Sequence, residues 1–215
     1  PERQDATNTI INAGTSAGVA LSGAIALAMG GEWRTTFAAF AALAIVLAIV
    51  TAFALPPARQ SRSAPRLPKM TVPLRRLVAA TFLAGMASTA VWSFGGQLAS
   101  RSPGWDATGT AILWLCIGAG GIAGAWAGSL VSRFGLGSAH LVFCAISAIA
   151  VVAIGSATTM LPIMVSGAFF GAAYIVLTGV YLIWGVRALP DRPATGLTIG
   201  FLTLAVGQTV GAPIF

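Results

Sequence analysis

The sequence predicts an all-α fold, a polytopic bundle of transmembrane helices, on three observations. Hydrophobic residues make up 57% of the chain and charged residues 8%, whereas a soluble domain carries about 25% charged residues. Apolar runs about 20 residues long, enough to cross about 30 Å of hydrocarbon as a helix, recur from one end to the other. Between two of them lies Pro56–Arg76, with six bases (Arg59, Arg62, Arg66, Lys69, Arg75, Arg76), five prolines and no acid. Lys and Arg are retained on the cytoplasmic side during insertion, so this loop reads as inside and sets the side of every other loop.

The first span is Thr7–Met29, free of charge between Asp5 and Glu32, and Gly30–Arg34 makes the turn. Thr35–Leu55 returns to the basic loop. Leu77–Ala99 follows and ends at Ser100–Asp106; Gly109–Val131 ends at Ser132 and Arg133. From Phe134 to Val186 there is no formal charge. As one helix that run would measure about 80 Å at 1.5 Å per residue, so it holds two spans, with the turn at Ala157–Pro162. Arg187–Ala194 is another loop, and Thr195–Phe215 is the seventh span. With the basic loop inside, ten bases fall on inner segments and two, Arg34 and Arg101, on outer ones. That bias supports seven spans running from a cytoplasmic start to an external end.

The net charge of +7 belongs to short loops that face anionic headgroups, which argues for a lipid bilayer and against nucleic acid as the partner. Cys116 and Cys144 both lie inside spans, and two lone thiols make neither a disulfide nor a metal site; no cofactor is expected. Intramembrane hydrolysis needs paired acids, metal-ligand histidines or a serine with its base. With one histidine and no acid inside a span, no catalytic residue is expected and the chain reads as no enzyme. Arg outnumbers Lys eleven to one and Ala is abundant, as in GC-rich bacterial genomes. The chain opens at Pro1 in mid-motif and stops within an apolar run, so it reads as a fragment.

The two ends repeat. Pro1-Glu2-Arg3 precedes Ala6-Thr7, and Pro190-Asp191-Arg192 precedes Ala194-Thr195, each opening a Gly- and Thr-rich helix. Parallel six-helix halves are a transporter plan. Four features then match one family in order and spacing: the Pro1–Gly23 loop and helix; Glu32-Trp33-Arg34 with Phe37; the basic loop; and Gly128–Gly135, close to a Gly-x-Leu-x-Asp-Arg-x-Gly signature with Ser132 in the Asp position. The chain resembles the major facilitator superfamily from just before its fifth helix to most of its eleventh. The resemblance implies twelve helices in all. Residues 1–55 would be the last two helices of the N-terminal half, 56–76 the cytoplasmic linker, and 77–215 a C-terminal half truncated in its fifth helix. It implies a secondary-active transporter of the plasma (inner) membrane, moving a small organic solute by alternating access, in uptake or efflux. A seven-helix channel or receptor-like protein is the alternative. Proton coupling, if present, would run through residues missing before residue 1.

Polar residues mark candidate cavity positions. On the third span Thr89, Ser93 and Gln97 recur every four residues beside Trp92, and on the sixth Gly167, Gly171, Tyr174, Thr178 and Tyr181 follow three-and-four spacing on one face. The resemblance makes these helices seven and ten, which line the central cavity; the competing reading is that the hydroxyls bond carbonyls of the preceding turn. Asn12 and Gln208 suit interhelical hydrogen bonds, and His140 suits a solvated position at the inner end of its span. The signature loop is Gly128, Ser132, Arg133 and Gly135. Small-residue ridges run along Gly14, Gly18 and Ser22, and along Gly120, Gly124 and Gly128; such ridges let helices approach closely in lipid, and the resemblance sets them facing each other between the halves. On that packing Ser132 lies near Thr7 and Asn8.

Overall fold

The computed structural model describes residues 2–30, 32–54 and 68–215, with side chains from residue 14 onward. Its helices are α1 (Glu2–Ala28), α2 (Trp33–Ala54), α3 (Val72–Trp92), α4 (Gly95–Ala99), α5 (Ala107–Gly121), α6 (Ala127–Phe134), α7 (Leu136–Ser156), α8 (Met160–Ala188) and α9 (Pro193–Gly211). No strand occurs among the described residues. Six helical stretches among them are long and apolar enough to cross a membrane, with α5 and α6 counting as one. The first expected span is α1, whose described apolar part, Gly14–Ala28, is shorter than a full crossing. Residues 55–67 of the basic loop, with Arg59, Arg62 and Arg66, lie outside the described residues.

The turn expected in the long uncharged run lies where α7 ends at Ser156 and α8 begins at Met160. Two expected spans are broken instead of continuous. The third starts at Val72, with Pro73 in its first turn, where a missing N–H costs nothing. It stops at Trp92, and α4 resumes at Gly95-Gly96 after Phe94 leaves helical geometry at φ −122°, ψ 0°. The fourth span tightens into a 3-10 turn over Ile122–Trp126, which overlaps the run Gly120-Gly121-Ile122-Ala123-Gly124; glycine is the weakest helix former after proline. Gly135, at φ +81°, makes the corner between α6 and α7, a conformation in which a Cβ would be strained.

The broadest interfaces are α3 with α9, α5 with α8, α1 with α5, and α7 with α8. The first two are built alike. A methyl at Gly85 of α3 would strike the Leu204 carbonyl of α9, and one at Gly207 of α9 would strike the Phe82 carbonyl of α3. In the second pair, Gly120 of α5 abuts the Ala168 carbonyl and Gly171 of α8 abuts the Ile117 carbonyl. Backbones this close gain dispersion contacts, which replace the hydrophobic drive that lipid cannot supply. Around these crossings Leu113, Ile117, Ile154, Ile163 and Phe170 form one core, and Leu74, Leu77, Leu177 and Leu204 another. Outward faces are just as apolar: Leu83, Leu141, Val152, Phe169 and Leu202 are all exposed, which fits a lipid surround and would be an aggregation surface in water.

The expected ridge pairing does not form. Gly120 and Gly124 turn to α8, the latter against Ile175, while Gly14 and Gly18 have no described atom within 4 Å of where a Cβ would stand. The α1–α5 contact exists one face over. Gly118 abuts Ala20, Gly121 faces Ser16 with its Cβ position 2.7 Å from the Ser16 Oγ, and Gly23 faces Ala111 and Trp114. The physical reason is that this span carries small residues on several faces, so both neighbours find a close approach: Gly120 and Gly124 fit against Ala168 and Ile175 of α8, and Gly118 against Ala20 of α1. Ser22 spends its hydroxyl on the Val19 carbonyl (2.7 Å). Ser132 likewise donates to Ser129 of its own helix (2.9 Å); the side chains of Thr7 and Asn8, its expected neighbours, lie outside the described residues. Gly128 is half-buried, and the Arg133 guanidinium lies over the Phe134 ring at 5.3 Å.

Candidate functional site

Where α3, α8 and α9 meet, three helices contribute polar groups to one node. Tyr174 stands at the midpoint of α8, and its hydroxyl accepts a hydrogen bond from Gln208 Nε2 of α9 at 3.2 Å. Thr89 of α3 donates to the Gln208 carbonyl and to the Gly85 carbonyl, both at 3.1 Å. Ser88 donates to Gly85 at 2.9 Å. The Gly85 contact brings α3 close enough to α9 for these short side chains to reach. Gln208 thus makes the interhelical hydrogen bonds its position in lipid demands.

Aromatic rings enclose the other side of Tyr174. Its ring lies edge-on to Trp92, centroids 5.1 Å apart, and stacks on Phe170 at 5.8 Å. Trp92 in turn stacks on Trp114 of α5 at 5.7 Å. Among the described residues no group meets the buried Trp92 indole N–H in hydrogen-bonding geometry, an uncommon state for a buried donor.

A cavity of about 420 Å³ opens beside this node between α3, α7 and α8. Ala84, His140, Cys144, Tyr174, Thr178 and Tyr181 are among its lining residues. The expected α8 stripe therefore divides. Gly167 and Gly171 face Leu113 and Ile117 of α5, while Tyr174, Thr178 and Tyr181 face the cavity. Thr178 spends its proton on the Ile175 carbonyl at 2.7 Å, and Thr89 is 1% exposed with its hydroxyl committed to carbonyls. For these two threonines the backbone-bonding reading describes the geometry. The α3 stripe divides as well: Ser93 caps the end of α3, its N–H still bonded to the Thr89 carbonyl, and the break at Phe94 takes Gln97 beyond it out of register. Ser93 and Gln97 are exposed and line no part of this cavity.

His140 departs from its expected solvated position. Since α7 begins at Leu136, His140 lies a turn inside the helix and faces α8, between Tyr181 and Trp184 with ring centroids 5.7 Å and 5.5 Å away. Trp114 and Ser88 were not expected at the site. The spacing of His140 and Cys144, four residues apart on one helix, was visible in the sequence and would have paired them.

With aromatic faces, hydroxyls, one amide and no formal charge, the node suits an uncharged organic group. No cluster of three or more His, Cys, Asp or Glu side chains occurs among the described residues. No curated protein and no solved structure matches the chain significantly. A family model described as uncharacterised MFS-type transporter YbfB matches residues 1–215. That match covers the whole chain, accords with the helical, apolar architecture, and places the protein in the major facilitator superfamily as a multi-pass membrane protein.

Proposed function

We propose that this chain supplies most of one half of a secondary-active transporter that moves a small, uncharged organic solute by alternating access. The observation that carries the reading is the Tyr174–Gln208 hydrogen bond, a polar node at mid-helix between aromatic rings, at the depth where transporter substrates bind. Residues 77–215 form that half up to its fifth helix, 56–76 the cytoplasmic linker, and 1–55 the last two helices of the other half. Family membership and the division of short helices around one polar node favour transport over catalysis.

The test is uptake by the full-length protein in proteoliposomes, against a panel of radiolabelled neutral sugars, amides and aromatic solutes. Saturable uptake of one class is expected, with KM raised about two- to tenfold in Tyr174→Phe and in Gln208→Leu, since a lost hydrogen bond to substrate or to its orienting partner is worth about 0.5–1.5 kcal/mol. Non-saturating flux would favour a channel. Saturable flux untouched by either substitution would remove the node from the site.

Orientation is tested separately, in a variant lacking Cys116 and Cys144. A cysteine at Ser61 is expected to react with impermeant maleimide only after the inner face of the plasma membrane is opened, and one at Ser100 in intact cells. Ser100 is exposed whereas neighbouring Ser102 is 3% exposed and bonded to the Ala157 carbonyl, so Ser100 is the usable outer position. Labelling of both from one side would overturn the topology.

A further inference from the structure

On the wall of the cavity, away from the Tyr174–Gln208 node, three donor atoms of different chemistry converge. His140 Nε2 lies 3.4 Å from Cys144 Sγ and 3.3 Å from the Tyr181 hydroxyl. We propose that His140, Cys144 and Tyr181 form a binding site for a thiophilic divalent cation of the zinc group.

The separations fit such an ion. With metal–sulfur bonds of about 2.3 Å and metal–nitrogen or –oxygen bonds of about 2.0–2.1 Å, the edges of a tetrahedron are about 3.5 Å for N···S and about 3.3 Å for N···O. His140 and Cys144 sit four residues apart on α7, which places both on one face. Tyr181 reaches them from α8, so a bound ion would tie the two helices together. Nε2 is the ring nitrogen that faces both the thiol and the phenol, and in the Nδ1–H tautomer of the neutral imidazole it carries the lone pair a metal requires.

Binding costs one proton: the Cys144 thiol releases its hydrogen to solvent and coordinates as thiolate, the neutral imidazole gives its Nε2 pair, and the Tyr181 oxygen gives a lone pair. Affinity therefore rises with pH. Sulfur with nitrogen selects zinc-group cations over magnesium or calcium, which take oxygen ligands. The three donors leave a fourth position facing the cavity, which also provides the entry path. Trp184, edge-on to the imidazole at 5.5 Å, holds the ring in place. Cys116 lies on α5 and outside this group, which makes it an internal control.

The experiment is Cd²⁺ titration of the full-length protein in detergent, followed through the ultraviolet thiolate-to-cadmium absorption and by calorimetry, with Mg²⁺ as the comparison ion. One equivalent of Cd²⁺ is expected to bind with the thiolate band, and Mg²⁺ to give no heat of binding. Cys144→Ser should abolish the band and Cys116→Ser should keep it. His140→Ala should weaken binding about tenfold or more, and Tyr181→Phe less. His140→Gln, which keeps a polar side chain of similar reach, serves where the alanine variant loses its size-exclusion peak. A band that survives in Cys144→Ser, unchanged affinity in both histidine variants, or no binding by the folded wild type would each overturn the site. None of these outcomes depends on solute transport.

Discussion

Gly171→Ala is expected to lower the unfolding free energy by about 1–3 kcal/mol, the usual cost of forcing one methylene-sized group into a filled interior. The added methyl would point at the Ile117 carbonyl of α5, at a separation no Cβ tolerates. Backbone is the neighbour, so no side chain can turn aside, and relief requires α5 and α8 to part along their whole crossing. Parting them also loosens Gly120 from Ala168, one turn away. Gly155→Ala is the matched control: no described atom lies within 4 Å of its Cβ position, and replacing a helical glycine there should be neutral or stabilising by up to about 1 kcal/mol. Reversible unfolding in mixed micelles, read by tryptophan fluorescence, measures both. Equal midpoints for the two variants would mean that α5 and α8 are not in backbone contact.

Gly118→Leu is expected to slow transport by about tenfold or more while the protein still assembles. Gly118 meets the backbone and Cβ of Ala20 on α1, and with Gly23 against Ala111 and Trp114 it forms the contact between α1 and α5. On the proposed division into halves, this is where one half moves against the other. A leucine wedged there penalises the conformation in which the backbones touch. A penalty of about 3 kcal/mol or more, the top of the range for a single added methylene-sized group, on one of two exchanging states changes their ratio by more than tenfold, since about 1.4 kcal/mol is a decade. Rate should fall, with solute affinity measured at equilibrium changing less. Full transport by the leucine variant would show that this contact does not move during transport.

The helical class and the turn after Ser156 were legible in the sequence, because a bilayer requires each crossing to be long, apolar and internally hydrogen-bonded, whereas the breaks at Phe94 and Ile122–Trp126 were not. The family was legible too, carried by charged motifs such as Glu32-Trp33-Arg34 and Gly128–Gly135 that stand out against an apolar background. Gln208 was readable as a cross-helix donor, since an amide in lipid must find a partner.

Orientation about each helix axis was a different matter. In a soluble protein, polarity separates the buried face from the wet one. In this chain exposed Leu141 and buried Ile154 of the same helix are equally apolar, because the lipid-facing side is under the same solvent pressure as the core. The spacing of Gly120, Gly124 and Gly128 marked a contact ridge and set it against the first helix, whereas packing sent Gly120 and Gly124 to α8 and brought Gly118 and Gly121 to α1. Thr89 and Gln97 shared a predicted face, and the break at Phe94 between them separated buried from exposed. The same holds for His140: its place in the chain marks a helix end, and its meeting with Tyr181, 41 residues away, depends on how α7 lies across α8. Length and hydropathy are local properties that the chain carries with it; the choice among equally apolar faces belongs to van der Waals fit between helices, which exists only once they have packed.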